Sequence, residues 1–168
     1  MNKYHFLECG EEEWNSIMPG LPTSHFLQTS QWAEIKKEIG WQPVYKIWKG
    51  ENGAIVGGAM ILERSVKPAF LPLSFAVQYI PKGPLLDWDN TALVQQALGD
   101  LASFARQRKV IFTKIDPDVI ADGKMTAGTE AGTGISSTED FIALLRENGW
   151  QYSASQIQFQ NTVLIDLA

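Results

Sequence analysis

The chain has 168 residues and a formal net charge of −5 at pH 7, with 14 Lys and Arg against 19 Asp and Glu. This length and an apolar content of 45% are typical of one compact domain with its own core. The acidic balance argues against a surface that grips a nucleic-acid backbone, because such a surface needs clustered Lys and Arg. The longest apolar runs are far too short to cross a bilayer.

The amino terminus and the single cysteine exclude two further classes. The sequence Met-Asn-Lys-Tyr-His is followed by acidic residues where a secretory signal peptide would carry its apolar segment. The protein is therefore expected to be cytoplasmic. Cys9 permits no internal disulfide, and with no cluster of His or Cys nearby it cannot build a metal site, so no metal is predicted.

The first half of the chain predicts a strand, two helices and a β-hairpin, in that order. The predicted elements are a strand at 4–8, a helix at 11–18 that Pro19 and Gly20 end, and a helix at 31–39 that Thr29 or Ser30 caps and Gly40 ends. Strands follow at 44–49 and 54–63. The Asn-Gly pair at 52–53 between them is a strong hairpin signal.

The second half predicts strands that alternate with helices. These elements are a strand at 70–80, a helix at 91–108 with one apolar stripe, a buried central strand at 110–115, a helix that Ser136 and Glu139 begin and Gly149 ends, and a closing strand at 159–167. The segment 121–134, rich in Gly, Thr and Ala, is predicted to be a flexible loop. The order predicts one α/β domain with a mixed, mostly antiparallel sheet and flanking helices.

The turn at 81–84 is the most informative local feature. Pro81 and Pro84 cannot donate to a sheet ladder, and Gly83 tolerates backbone angles closed to other residues, so the strand before them must end here. A strand that stops at a cationic turn is a common way to build the lip of a ligand cleft. Tyr79, Lys82 and Gly83 are therefore predicted to contact substrate, while plain chain reversal is the alternative.

A cation and an indole follow each other on the helix before the hairpin. Lys36 lies one turn after Trp32, and Trp41 sits just past the helix end. Lys36 could hold a diphosphate by charge, and Trp41 could stack on the nucleotide. The alternative is that Lys36 and Lys37 form a solvated face and that Trp41 covers a sheet edge.

Lys114 and Asp116 are predicted to share one face of a strand, since Ile115 between them must face the other. Pro117 ends this strand and leaves Asp116 at its carboxyl end, where clefts of open sheets form. A carboxylate there could orient an attacking amine or take its proton. The alternative is an ion pair between Lys114 and Asp116 that only ties the loop. His5 and His25 have no partner at a spacing that indicates a nucleophilic triad.

Five segments in a fixed order resemble the Fem family of peptidoglycan-bridge aminoacyltransferases. They are Phe-Leu-Gln-Thr-Ser-Gln-Trp-Ala-Glu-Ile-Lys at 26–36, Tyr-Ile-Pro-Lys-Gly-Pro-Leu-Leu-Asp-Trp at 79–88, Ile-Asp-Pro-Asp-Val at 115–119, Leu-Leu-Arg-Glu-Asn-Gly-Trp at 144–150 and Gln-Phe-Gln-Asn-Thr-Val-Leu-Ile-Asp-Leu at 158–167. The resemblance implies an N-acetyltransferase-type (GNAT) fold, which family members use in two lobes. It also implies a role in cell-wall biogenesis, cell shape and methicillin resistance.

The resemblance implies a reaction and its partners. Family members move an amino acid from aminoacyl-tRNA to a UDP-linked or lipid-linked muropeptide precursor without a cofactor. By this resemblance the chain is expected to be the first, precursor-binding lobe, so tRNA contacts are expected on a second lobe and the lobe alone is expected to be a poor enzyme. Basic and aromatic residues in the segment of Lys36 and Trp41 contact the precursor in family members. From its position at the end of the predicted strand, Asp116 is expected to be the catalytic carboxylate, and Lys114 is expected to contact the substrate.

Two alternatives from other classes remain. One is a stand-alone acyl-CoA-dependent acyltransferase of the same fold. Such an enzyme should open its helix near residue 90 with a glycine-rich phosphate loop, whereas this chain has one Gly, two prolines, Asp87 and Asp89 there. The other is a non-catalytic binding or assembly module, which could self-associate through an exposed edge strand at 159–167.

Overall fold

The computed structural model describes residues 3–67, 74–119, 138–153 and 157. In chain order the elements are β1 (Tyr4–Cys9), α1 (Glu11–Ile17), α2 (Ser30–Lys37), β2 (Gln42–Gly50), β3 (Ile55–Val66), β4 (Phe75–Ile80), β5 (Leu85–Leu86), α3 (Thr91–Gln107), β6 (Val110–Ile115) and α4 (Thr138–Glu147). The described strands form one sheet in the order β1-β2-β3-β4-β6, and β5 also pairs with β3.

The α2 helix begins and ends with capping interactions that its sequence predicts. The Oγ1 of Thr29 accepts a hydrogen bond from the backbone N–H of Trp32 at 3.2 Å, so Thr29 rather than Ser30 supplies the cap. The helix ends at Lys37, two residues before the predicted end. Gly40 has a φ of +85°, and the N–H of Trp41 donates back to the carbonyl of Lys36 at 3.1 Å.

The first three strands form the predicted antiparallel meander. Tyr4 pairs with Gly50 and Cys9 pairs with Tyr45, which sets β1 against β2 along its whole length. The hairpin between β2 and β3 is confirmed, with Gly53 at a φ of +82° and the N–H of Gly50 bonded to the carbonyl of Ala54 at 2.8 Å. The Asn-Gly pair therefore predicted the turn that joins β2 and β3.

The β4 and β6 strands make the sheet mixed. β4 runs antiparallel to β3 and parallel to β6, and α3 crosses over between the two parallel strands. The apolar stripe of α3 is buried as predicted, at Leu93, Ala97, Leu98, Leu101 and Phe104. The predicted α/β class with a mostly antiparallel sheet is confirmed.

Two strand predictions need correction. Of the strand predicted at 70–80, residues 70–73 lie outside the described residues; the strand covers Phe75–Ile80, and Ser74 before it is exposed and outside the strand. The strand predicted as buried and central at 110–115 has the right bounds, but Ile111 is 58% exposed and Phe112 is 56% exposed. Because neighbouring residues of a strand point to opposite faces, the exposure of these two residues shows that β6 is not buried on both faces. Among the described strands, β6 pairs only with β4.

The sheet carries one apolar core on each face. One contains Trp48 and Ile61 from the sheet and packs against α3. The other contains Tyr45, Met60 and Tyr79 and packs against the segment of α1 and α2. Strand residues alternate between the two cores, which is the pattern of a sheet covered on both sides.

Three predictions lie outside the described residues: the loop at 121–134, the contribution of Ser136 to the last helix and the strand at 159–167. The end of α4 is described, and Gly149 has the expected positive φ of +80°. No helix in the described ranges is long and apolar enough to span a membrane.

Candidate functional site

The turn at 81–84 is held in place by a buried glutamine from the segment before α2. Gln28 is 0% exposed, and its side-chain amide donates to the carbonyls of Pro81 and Met60, while its Oε1 accepts from the N–H of Met60 at 2.7 Å. On the edge of β3 that faces β4 and β5, the described strands leave Met60 without a paired residue. Gly58 on one side of it pairs with β5, and Leu62 on the other side pairs with β4. Gln28 therefore takes the place of a strand partner and ties β3 to the turn.

The turn residues Lys82 and Gly83 have different surroundings. Gly83 is buried, and a Cβ at this position would lie 3.0 Å from the Nε2 of Gln28 and 3.0 Å from the Cγ2 of Ile80. Its lack of a side chain thus serves the packing of the turn. Lys82 has a φ of +48°, and its Nζ forms an ion pair with Asp118 at 2.9 Å.

Asp116 follows β6 at the carboxyl end of the parallel pair. The hydroxyl of Tyr79, near the end of β4, donates to its Oδ2 at 3.3 Å. Tyr79 pairs with Lys114 across the two strands, and the Nζ of Lys114 lies 3.4 Å from the hydroxyl of Ser153. The shared face of Tyr79, Lys114 and Asp116 follows from strand alternation.

His25 lies close to the same charged groups. Its Nδ1 accepts a hydrogen bond from the N–H of Leu27 at 3.1 Å, so a neutral ring carries its proton on Nε2. Burial lowers the pKa of His25, Asp118 and Asp116 act in the opposite direction, and Lys82 adds to the lowering. The imidazole is therefore mostly neutral at pH 7.

Lys36 lies on a partly exposed aromatic strip formed by Trp32, Phe26 and His25. Its Nζ is 4.6 Å from the ring centroid of Trp32, and the edge of Phe26 meets Trp32 at 6.1 Å between centroids. Phe26 in turn lies 4.8 Å from the ring of His25. The strip thus joins Lys36 to the surroundings of Asp116 through three aromatic rings.

An open groove of about 520 Å³ brings three of the predicted residues together. Trp41, Tyr79 and Lys114 all line it. Of the remaining predictions, Asp116 adjoins the groove through Tyr79, Lys82 is paired with Asp118, and Lys36 lies on the aromatic strip.

The sequence alone gives no role to Gln28 or Asp118, and it argues against His25 as a member of a nucleophilic triad. Asp118 stood two residues after the predicted carboxylate, which was a usable signal. Gln28 and His25 come from a segment about 90 residues earlier, and no spacing rule connects them to Asp116. Only the packing of that segment on the sheet brings them to the turn.

The start of α3 is already closed by side chains. The Oδ1 of Asn90 accepts from the N–H of Leu93 at 3.1 Å, and Asp87 accepts from the N–H of Asp89 at 3.1 Å. The carboxylates of Asp87 and Asp89 would repel a diphosphate at this helix end. Among the described residues, no group of three His, Cys, Asp or Glu side chains is placed to hold a metal ion.

Comparison with known structures places this fold among acyltransferases. The chain matches the crystal structure of FemX with a TM-score of 0.63 and 26% identity, over 86% of this chain and 31% of that one. It also matches an aminoglycoside N-acetyltransferase, AAC(6')-Iy in complex with CoA, with a TM-score of 0.51 and 11% identity over 95% of each chain. The second likeness shows the GNAT fold alone, and the predicted fold class is confirmed.

Sequence comparison identifies the family. A Lipid II:glycine glycyltransferase of Staphylococcus aureus (strain bovine RF122 / ET3-1) is 31% identical over 131 residues, which cover 78% of this chain and 28% of the relative. One from Staphylococcus haemolyticus is 30% identical over 111 residues, 66% of this chain and 25% of the relative. The matched region thus spans about a quarter of the length of these relatives. The model of the FemAB family matches residues 10–168, and the chain belongs to this family.

Proposed function

We propose that this chain is the acceptor-binding lobe of an aminoacyltransferase that extends the peptide of a muropeptide precursor. The acceptor would be UDP-linked or lipid-linked, and the amino acid would come from aminoacyl-tRNA held mainly by a second lobe. Family membership supports the reaction class. The observation that carries the proposal is the Asp116 carboxylate, oriented by Tyr79 at the carboxyl ends of β4 and β6.

Asp116 has the chemistry that aminolysis of an ester requires. The acceptor amine is protonated at neutral pH and must lose a proton before its nitrogen attacks the ester carbonyl. The carboxylate of Asp116 binds the ammonium form and accepts that proton, while the Tyr79 hydroxyl holds one carboxylate oxygen in place. The nitrogen then forms the new amide bond and releases its second proton, while the tRNA 3′-oxygen leaves with the ester electron pair and takes up that proton to become a hydroxyl. Because the ester is already activated, positioning supplies much of the acceleration and no cofactor is needed.

Three features favour this reaction over transfer from acetyl-CoA. The turn before α3 carries two prolines, which supply no backbone N–H groups for a diphosphate. Asn90 occupies the N–H of Leu93, and Asp87 and Asp89 add negative charge beside the helix start. We therefore expect calorimetric titration to detect a UDP-linked muropeptide and no tight binding of acetyl-CoA.

A titration with two forms of the acceptor tests the role of Asp116. One compound is a UDP-linked muropeptide with its acceptor amine free, and the other is the same compound with that amine acetylated. A charge-assisted hydrogen bond contributes roughly 1.5–3 kcal/mol, so the free amine should bind the wild-type chain about tenfold or more tightly. Asp116→Asn should remove this preference, while the exposed hairpin variant Glu51→Gln should keep it.

The outcome is decisive in either direction. Loss of the preference in Asp116→Asn with an unchanged melting temperature supports the proposed role. Equal affinity of wild type for the two compounds, or an Asp116→Asn variant that still prefers the free amine, excludes Asp116 as the group that receives the amine. Tight acetyl-CoA binding without muropeptide binding would replace the proposed reaction with acyl-CoA transfer.

A further inference from the structure

The groove beside Asp116 has a lining that the proposed chemistry at Asp116 does not use. The groove lies across the paired strands β3, β4 and β6, and the residues that are partners across these strands form rows. Leu62, Tyr79 and Lys114 occupy one row, and Arg64, Val77 and Phe112 occupy the next row away from Asp116. The described lining residues are Trp41, Arg64, Ser65, Val66, Lys67, Val77, Gln78, Tyr79, Phe112, Lys114 and Ile157.

The groove concentrates positive charge in an acidic chain. Arg64, Lys67 and Lys114 line it, and no carboxylate occurs among its described lining residues, although the chain has a net charge of −5. Within the described ranges, neither Arg64 nor Lys67 forms an ion pair, and the side chains of both residues are exposed. Lys82 and Arg108 are by contrast paired with carboxylates. The groove therefore favours an oxyanion.

The groove also offers apolar and aromatic surface. Phe112 is 56% exposed on a paired strand, and Trp41 is half-buried at the same groove. Residues of this kind on a sheet face are normally covered, so their exposure indicates a surface that something else packs against. A ligand that contacts both surfaces must combine an oxyanion with apolar atoms.

Strand geometry gives the length of such a ligand. Two residues along a strand advance about 6.6 Å, and Phe112 lies four residues before Asp116, so the row of Arg64 is about 13 Å from the catalytic carboxylate. An extended peptide covers this distance in about four residues. The groove thus matches an extended arm that leaves the acceptor amine at Asp116 and ends in a negative group near Arg64.

We propose that this groove is a second acceptor subsite in which Arg64 binds an oxyanion about 13 Å from Asp116 and Lys67, three residues further along the chain, adds positive charge at the far end of the groove, with the intervening arm lying against Phe112 and Trp41. The inference rests on the proposed function, since it places the acceptor amine at Asp116. The oxyanion is either the terminal carboxylate of the acceptor peptide or a phosphate of its carrier. Both accept charge-assisted hydrogen bonds from a guanidinium such as that of Arg64.

The test uses the double variant Arg64→Ser and Lys67→Ser in the full chain, with the double variant Arg106→Ser and Lys109→Ser, which removes two exposed positive charges around the end of α3, as the matched control. The probes are a UDP-linked muropeptide with a free terminal carboxylate, the same compound with a terminal amide, and UDP alone. The double variant should bind the first compound about tenfold more weakly than wild type or the control. If the carboxylate is the bound group, wild type discriminates against the amide and the double variant does not. If a phosphate is bound, the double variant should bind UDP more weakly than wild type does. Its affinity should then fall by the same factor for the amide compound and for the carboxylate compound.

Wild-type affinity of the double variant for all three probes overturns the subsite. The preference for a free acceptor amine, and its loss in Asp116→Asn, then shows whether the proposed function stands without it. A double variant and a control that lose equal affinity also overturn the subsite, because that result reports net charge alone. Melting temperatures of both variants should match wild type, since neither Arg64 nor Lys67 is buried.

Discussion

Replacement of Gln28 tests the inference that a side chain substitutes for a missing strand partner. Gln28→Leu keeps the approximate size of the side chain but removes both the donor and the acceptor. The N–H and carbonyl of Met60 and the carbonyl of Pro81 then lose their hydrogen bonds in a buried site. Each unsatisfied buried group costs about 1–3 kcal/mol. The 3.4 Å bond to the Met60 carbonyl is weak, so we expect a total loss of about 3 kcal/mol.

Denaturant unfolding of the chain measures this loss against a matched control. Gln31→Leu makes the same chemical change on the exposed surface of α2 and should alter the free energy of unfolding by less than about 0.5 kcal/mol. A 3 kcal/mol loss corresponds to a fall in melting temperature of roughly 6–12 °C for a chain of this size. If Gln28→Leu and Gln31→Leu unfold alike, the ladder does not depend on Gln28.

A charged variant sharpens the same test. Gln28→Glu keeps an oxygen for the Met60 N–H but loses the amide donor and places a carboxylate among buried groups. Burial should raise the pKa of this carboxyl, so the protonated form is stable below its ordinary pKa and stability is lost as the pH rises through the raised value. The variant should therefore be less stable than Gln28→Leu at pH 7 and recover at acid pH. A pH-independent deficit would contradict burial of the group.

Three further predictions concern packing and pH. Gly58→Ala places a Cβ 2.7 Å from Trp14 and should cost about 1–3 kcal/mol, whereas Gly99→Ala on the open face of α3 meets no atom within 4 Å and should gain about 0.5–1 kcal/mol; equal denaturation midpoints would contradict both. Hydrogen bonds from Arg108 lower the pKa of Glu63, so the contribution of this carboxylate is present above the ordinary carboxyl pKa and is lost as the pH falls through the lowered value. Glu63→Gln should consequently reduce stability at pH 7 and narrow its gap to wild type in acid, and a constant gap would refute the assignment.

The elements of this fold could be predicted where the signal was local. The Asn-Gly pair at the hairpin, the Thr29 cap and the stripe of α3 depend on residues within one or two turns of each other, and the structure has all three. The shared face of Lys114 and Asp116 also followed from strand alternation alone. The order of these elements and the five segments pointed to the family that sequence comparison confirms.

Burial and the composition of the site depended on contacts between distant segments. The apolar run of β6 predicted a strand covered on both faces, yet Phe112 lies open because coverage depends on the elements that pack beside a strand. The ion pair of Lys82 with Asp118 and the approach of His25 to that pair join segments 36 and more than 50 residues apart. The sequence by itself therefore determined the elements, the family and the catalytic carboxylate that we propose. The tertiary structure alone decided which side chains surround that carboxylate, because only the packing of distant segments on the sheet brings Gln28, the turn and the end of β6 together.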